Sequence, residues 1–278
     1  MSKIIGITGG TGFLADALIR RLLKWHKKPR IRVLARNEGK LYKLLEKYPT
    51  LEVVAGDIAD NYIARKFMKD LDTCFHLAAF KYVDKAEIEP YQCVRSNILG
   101  TLNVLKWSYV YKPRMVLGIS TDKAAQIRGV YGATKYIMEK LFQEAERINP
   151  KTKYRIVRYG NVLYSTGSAL CKWRNKINRR EPICVTNPRA TRFFFTREQA
   201  IDLIVECVKK QKNAQPKIPK MRAVAIGDLA LAVTEKYGKV KIEITELNSA
   251  DNMHETLDGK VFSNQVKLYS INQIKKLI

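Results

Sequence analysis

Residues 120–135, STDKAAQIRGVYGATK, carry two pairs of side chains able to move protons. Tyr131 and Lys135 stand four apart, about one helical turn and ~6 Å of rise, so both project from one face of a helix. An ammonium beside a phenol lowers the phenol's pKa, which makes Tyr131 a candidate base near neutral pH. Asp122 and Lys123, next to each other at the end of an apolar run, offer an acid and a base if their pKa values are driven apart. For Lys123 to serve as the base its pKa must fall, and burial beside Lys135 or a nearby positive ring would do this. An exposed Asp-Lys turn is the bland alternative, and a Tyr-x-x-x-Lys spacing alone is common by chance.

A second motif gives the pair a context. The opening GITGGTGFLADAL places Gly9, Gly12 and Ala15 in a G-x-x-G-x-x-A turn between a strand and a helix. There a bare backbone can approach a pyrophosphate and the helix N-terminus supplies free N–H groups. Thr11, Phe13 and Leu14 belong to the same turn. Where a second strand would end in an acidic residue for a ribose 2′-hydroxyl, the chain reads VLARNEGK. Arg36 suits a 2′-phosphate instead, favouring NADP over NAD. Asp57 and Ile58 follow the third strand, where an adenine edge would lie, and HLAA brings Leu77, Ala78 and Ala79 against the cofactor.

The elements that must position these residues follow from hydrophobic rhythm. Short apolar runs (KIIGIT, RIRVLA, LEVVAG, DTCFHLAA, RMVLGIS, KYRIVRYG) alternate with amphipathic stretches at 12–27, 38–48, 60–69, 89–110 and 131–148. Such alternation predicts an α/β doubly wound parallel (Rossmann) sheet, its continuous apolar strands buried on both faces. After Gly160 the rhythm breaks, and QPKIPKM near 215 reads as a proline-punctuated loop. The expectation is a dinucleotide-binding domain over 1–160 and a smaller C-terminal substrate-binding lobe over 161–278, with one helix near 197–211 returning to the main sheet.

Composition narrows the class. The 278 residues carry 51 Lys and Arg against 26 Asp and Glu, a formal charge of +25. The excess is spread through clusters such as residues 20–32 and 172–180 at helical spacing. They read first as solvated faces, then as attraction to a polyanionic small molecule. Stacking aromatics are not interleaved with the charges, so nucleic-acid binding is disfavoured. Five scattered cysteines and three dispersed histidines (His26, His76, His254) spell neither a disulfide frame nor a metal set, so no metal is expected and the thiols read as reduced and mostly buried. No apolar run approaches a membrane span and the N-terminus is unlike a signal peptide, so a soluble cytoplasmic protein is expected.

The glycine turn, the Tyr131/Lys135 pair and the strand ending in Ser120-Thr121 together resemble the extended short-chain dehydrogenase/reductase superfamily. The stretches HLAAFKYVDKAEIEPYQCVRSNILGT, STDKAA, YGATK, VRYGNV, TRFFFT and PKIPKM look closest to the soluble, C5-inverting UDP-N-acetylglucosamine 4,6-dehydratases. That resemblance implies oxidation at C4 of the sugar with Tyr131 and Thr121 on the hydroxyl. Loss of water across C5 and C6 follows, with Asp122 as acid at O6 and Lys123 as base at C5, and the hydride then returns to C6. A lysine rather than a glutamate after the aspartate is the mark of inversion. Lys81 and Asn97 match positions near cofactor and sugar, while Arg158, Asn161, Thr191, Arg192, His254 and Glu255 match positions expected to hold the nucleotide sugar. The product would be UDP-2-acetamido-2,6-dideoxy-β-L-arabino-hexos-4-ulose, for L-sugar or nonulosonate biosynthesis, made by a homo-oligomer (dimer or hexamer).

The pattern also breaks. Asn248 stands where the family has an arginine, and Tyr164 and Thr166 replace its usual glycine and arginine. These departures bear on sugar and diphosphate contacts, and with the lysine excess and short C-terminus they point to a divergent or viral lineage. A C5-retaining dehydratase or a UDP-sugar 4-epimerase is the alternative within enzymes. A non-catalytic NADP sensor is the alternative outside them, disfavoured because all four proton-transfer residues are present.

Overall fold

The computed structural model describes residues 3–25, 29–246 and 251–278; His26 and Asn248 lie outside them. Six parallel strands, β1 (Ile4–Thr8), β2 (Arg30–Ala35), β3 (Glu52–Ala55), β4 (Leu71–His76), β5 (Met115–Thr121) and β6 (Lys153–Tyr159), form the main sheet in the order 3-2-1-4-5-6. A seventh, Pro216–Lys217, adds in parallel to β6. It lies within the QPKIPKM segment expected to be a loop. Proline lacks an N–H, and at the first residue of an edge strand that costs no ladder bond.

Two apolar layers cover the sheet. On one face Leu18 and Leu22 of the Phe13–Leu23 helix, Leu41 of the next helix and Ile201 and Ile204 of the Arg197–Lys210 helix pack onto Ile7, Val33 and Val157. On the other Phe67, Val104, Met138 and Phe142 pack onto Val54, Cys74, Val116 and Ile156. Strands so covered must be apolar on both sides, which is why their runs are continuous. A third cluster, around Trp173, Ile177, Leu229, Val233 and Ile274, lies off this sheet beside two short sheets of three and two strands.

The reversal point of the strand order, between β1 and β4, is where a doubly wound sheet opens a crevice at its carboxyl edge. Gly9 turns the chain there with φ +65°, and a Cβ on it would lie 2.8 Å from the Ala78 amide nitrogen. Only glycine meets both demands. Beneath the turn, His76 is fully enclosed, with Nδ1 2.9 Å from the Thr8 hydroxyl and Nε2 3.2 Å from that of Thr101. Thr8 Oγ1 also accepts the Ala78 N–H at 3.0 Å, so this imidazole ties together the ends of β1 and β4.

Residues 89–110, expected as one helix, fall into Pro90–Val94, a wide π-helical turn Arg95–Leu99, and Gly100–Tyr111. The turn sets Ser96 at the crevice and lets Asn97 grip the backbone of Phe80, accepting its N–H at 2.8 Å and donating to its carbonyl at 3.0 Å. Of the cysteines, Cys74, Cys93 and Cys207 are buried, Cys171 half-buried and Cys184 exposed.

Burial, reinforced by the Lys135 cation, drives the His76 pKa from 6.5 down to about 3. A depressed base favours the fold above its unfolded pKa and loses that stability as pH falls toward the folded one. The melting temperature should therefore drop between pH 6.5 and 4. A His76→Asn protein, less stable at pH 7, should show a flatter dependence in the same thermal melts.

Candidate active site

A cavity of about 520 Å³ runs along the carboxyl edge of the sheet. One end is built from the glycine turn (Gly9, Thr11, Gly12, Phe13, Leu14), with Arg36, Asp57 and Ile58 across β2 and β3 and Leu77, Ala78 and Ala79 from β4. The other end holds Lys81, Thr121, Asp122, Lys123, Tyr131, Lys135 and Asn161. Residues from six separate strand ends thus meet in one crevice. Asn37 and Lys40 line it beside Arg36, Asn37 capping its helix by accepting the Lys40 N–H at 2.8 Å. Exposed guanidinium and ammonium groups at a helix start suit an anionic ribose substituent. The donor set and bare backbone of this end fit a dinucleotide.

At the other end, β5 delivers Thr121 and Asp122 and the Val130–Ile148 helix delivers Tyr131 and Lys135. Gly132 makes their closeness possible, because a Cβ there would stand 2.5 Å from the Lys123 carbonyl oxygen. Asp122 is buried; its Oδ1 accepts the Thr121 hydroxyl at 2.7 Å, the Lys123 N–H at 3.0 Å and the Lys123 ammonium at 3.4 Å. Its Oδ2 has no partner among the described residues, and neither has the hydroxyl of buried Tyr159, a cavity residue not singled out from sequence. Buried polar atoms are rarely left unpaired, and these two belong to residues of one cavity wall.

Lys123 Nζ also lies 3.3 Å from Oε1 of Glu255, which is wholly buried and 3.5 Å from Arg192 Nε. Burial opposes charge on Lys123, but the Asp122 and Glu255 carboxylates outweigh it and push the ammonium's pKa above its ordinary 10.5. The sequence expectation of a lowered pKa is thereby corrected: resting Lys123 is protonated. Burial likewise carries Tyr131 up to about 12, with the Lys123 cation and the Thr121 hydrogen bond as the restoring influences. Lys135, lowered to about 8 by burial, donates to Met138 Sδ at 3.1 Å. In this state Lys123, and not Lys135, is the cation that favours the Tyr131 phenolate.

Several expected substrate contacts are engaged elsewhere. Arg158 pairs with buried Glu139 through two hydrogen bonds, at 2.9 and 2.5 Å, and donates to the Leu257 carbonyl at 2.7 Å. Three of its five N–H groups are taken by protein, and it does not line the cavity. Thr191 and His254 bond each other at 2.8 Å, with Ser263 on the Thr191 hydroxyl at 2.6 Å. Arg192 donates to the Thr191 and Met253 carbonyls at 2.9 and 3.1 Å as well as facing Glu255. Asn97 sits behind Phe80. None of these residues, nor Glu255, lines the cavity. Lys81 does line the cavity, and its ammonium reaches the Thr166 carbonyl at 2.8 Å. Tyr164 holds φ +57°, a left-handed conformation that favours the glycine expected there from the resemblance, and its hydroxyl meets that of Tyr237 at 2.6 Å.

Comparison with known proteins fits this geometry. A family profile described as polysaccharide biosynthesis protein matches residues 5–275. The chain belongs to that family. It is 33% identical over 267 residues to an uncharacterized membrane protein of Methanocaldococcus jannaschii, covering 92% of this chain and 80% of that one. It is 30% identical over 260 residues to an inverting UDP-N-acetylglucosamine 4,6-dehydratase of Campylobacter jejuni, covering 92% and 77%. A UDP-glucose 4-epimerase of Rickettsia bellii is 31% identical over 265 residues, covering 92% and 78%. The X-ray structure of Pen from Bacillus thuringiensis superposes with a TM-score of 0.88 at 32% identity, covering 92% and 81%. Among the described residues no helix is long and apolar enough to cross a membrane, and no cluster of His, Cys, Asp and Glu could hold a metal ion.

Gly132→Ala should destabilise the protein by about 1–3 kcal/mol in urea unfolding, overpacking outweighing alanine's better helix propensity. Tyr159→Phe, which deletes an unpaired buried hydroxyl, should leave the ligand-free protein at least as stable as the parent in thermal melts. A marked fall would reveal a partner for that hydroxyl.

Proposed function

We propose that this protein is a nucleotide-sugar 4,6-dehydratase, and more narrowly that it converts UDP-N-acetylglucosamine with inversion at C5, using NADP. The observation that carries the reading is the juxtaposition of Asp122 and Lys123 with Thr121 and Tyr131 on one cavity wall, beside a dinucleotide-shaped groove. Relatives bearing dehydratase and epimerase names support the wider class. Arg36 and Lys40 support NADP over NAD. The strand-edge crevice takes the dinucleotide, and the lobe after Gly160, with its own apolar core, takes the sugar nucleotide. Exposed Tyr91, Leu99, Leu102 and Val110 on neighbouring helices support self-association.

A bound nicotinamide dinucleotide supplies the chemistry of accepting the C4 hydride and returning it at C6. The chain's own residues do the rest. Thr121 orients the C4 hydroxyl and Tyr131 takes its proton, the phenolate being stabilised by the Lys123 cation and the Thr121 hydrogen bond. Oxidation at C4 acidifies the C5 hydrogen. The Asp122 carboxylate, having taken up a proton from solvent before substrate fills the cavity, gives it from Oδ2 to O6, which leaves as water. Lys123 removes the C5 proton once it has released its own, and after the hydride has returned to C6 a solvent-derived proton adds to the opposite face of C5. Because Asp122 and Glu255 both favour the ammonium, that release is the demanding step.

Incubation with UDP-N-acetylglucosamine and NADP in D2O, followed by proton NMR, should give a new 6-methyl signal on an L-configured 4-keto sugar with solvent deuterium at C5. A D-configured product would indicate retention, and a 4-epimer without a methyl signal would indicate the epimerase that the Rickettsia similarity favours. Lys123→Glu should abolish or strongly impair dehydration while dinucleotide titration is unchanged; undiminished turnover would remove Lys123 from the mechanism.

A further inference from the structure

Behind Lys123 lies a second, much smaller cavity of about 10 Å³, lined by Gln126, Arg128, Gly129 and Asn252 together with Lys123 and Tyr131. Lys123, Tyr131 and Val83 line the large cavity as well, so they form the partition between the two. This volume is close to that of one water. Two buried oxygens at the small cavity, Gln126 Oε1 and Asn252 Oδ1, have no hydrogen-bond partner among the described residues. Asn252 is only 3% exposed, and its amide nitrogen faces Glu255 Oε2 at 3.4 Å and the Gln126 carbonyl at 3.5 Å. Both neighbours are acceptors, which fixes the amide so that Oδ1 is the atom left unpaired. The Lys123 ammonium has three N–H groups, and Asp122 and Glu255 take two.

We propose that the small cavity holds one buried water, donating to Gln126 Oε1 and Asn252 Oδ1 and accepting the third N–H of Lys123, and that this water is the outlet for the Lys123 proton. The inference rests on the assignment of Lys123 as the C5 base. When the outlet operates, an N–H bond breaks with its electron pair left on nitrogen. The bound water gains that proton and passes one of its own to bulk water past Gly129 and exposed Arg128. Nothing is oxidised or reduced. The route lets the amine be freed while substrate fills the large cavity, where water would compete with the chemistry.

The test has two arms on the full chain. A high-resolution crystal structure with NADP should show a single water about 3 Å from both Gln126 Oε1 and Asn252 Oδ1; a dry or side-chain-filled pocket overturns the proposal. Gln126→Leu, which removes one acceptor and fills the space, should lose that water in its own crystals. It should also lower kcat about tenfold with KM and NADP affinity unchanged, and raise the solvent deuterium isotope effect on kcat. Unchanged kcat and isotope effect in a variant shown to lack the water would overturn the outlet. A parent protein that does not dehydrate UDP-N-acetylglucosamine would instead refute the proposed function, a result the crystallographic arm does not depend on.

Discussion

The alternating charges Asp122, Lys123, Glu255 and Arg192 are the constraint on which the site depends. Each is largely withdrawn from water, and a charge so placed is tolerable only if its neighbours are opposite in sign. The row therefore fixes more than protonation. Asp122 and Lys123 come from the tip of β5, Arg192 from the Thr191–Phe195 strand and Glu255 from the C-terminal segment, so three distant parts of the chain must meet for the row to be complete. Removing one partner from such a row typically costs about 3–5 kcal/mol because another charge is left buried alone.

A second buried network runs beside it. Ser120 donates to Glu139 at 2.5 Å, Glu139 takes Arg158, and Arg158 reaches the Leu257 carbonyl. Leu257 is two residues from Glu255, so both networks hold the same C-terminal segment, one at a side chain and one at a backbone oxygen. This explains why an arginine expected on a diphosphate faces a carboxylate instead. The protein uses its guanidinium to lock the strand β6 and the Tyr131 helix to the segment that polarises Lys123.

Much of the fold was legible because parallel strands covered on both faces must be apolar runs, and because Gly9 and Gly12 mark a turn that few other residues permit. The glycine-turn end of the cavity was legible for the same reason: its residues sit at strand tips, where sequence spacing and spatial position coincide. Lys123 beside Asp122, and Tyr131 one helical turn from Lys135, were legible as pairs. The seventh strand was not, since two residues beginning with proline carry no strand signal. Nor was the π-helical turn, whose wide spacing lets Asn97 reach the Phe80 backbone.

What the sequence determined by itself was the inventory: a glycine turn, an acid, a base, and the phenol and ammonium of one helix face, in an order set by local periodicity. Only the tertiary structure decided their charge states. The Lys123 pKa rises instead of falling because the adjacent Asp122 carboxylate is joined by Glu255, 132 residues away, and together they outweigh burial. Tyr131 and His76 are shifted by the walls that surround them, and Arg158, Thr191 and His254 are engaged by protein because their partners are brought to them from other segments. Burial and long-range Coulomb interaction depend on distance in space, and no local pattern in the chain encodes that distance.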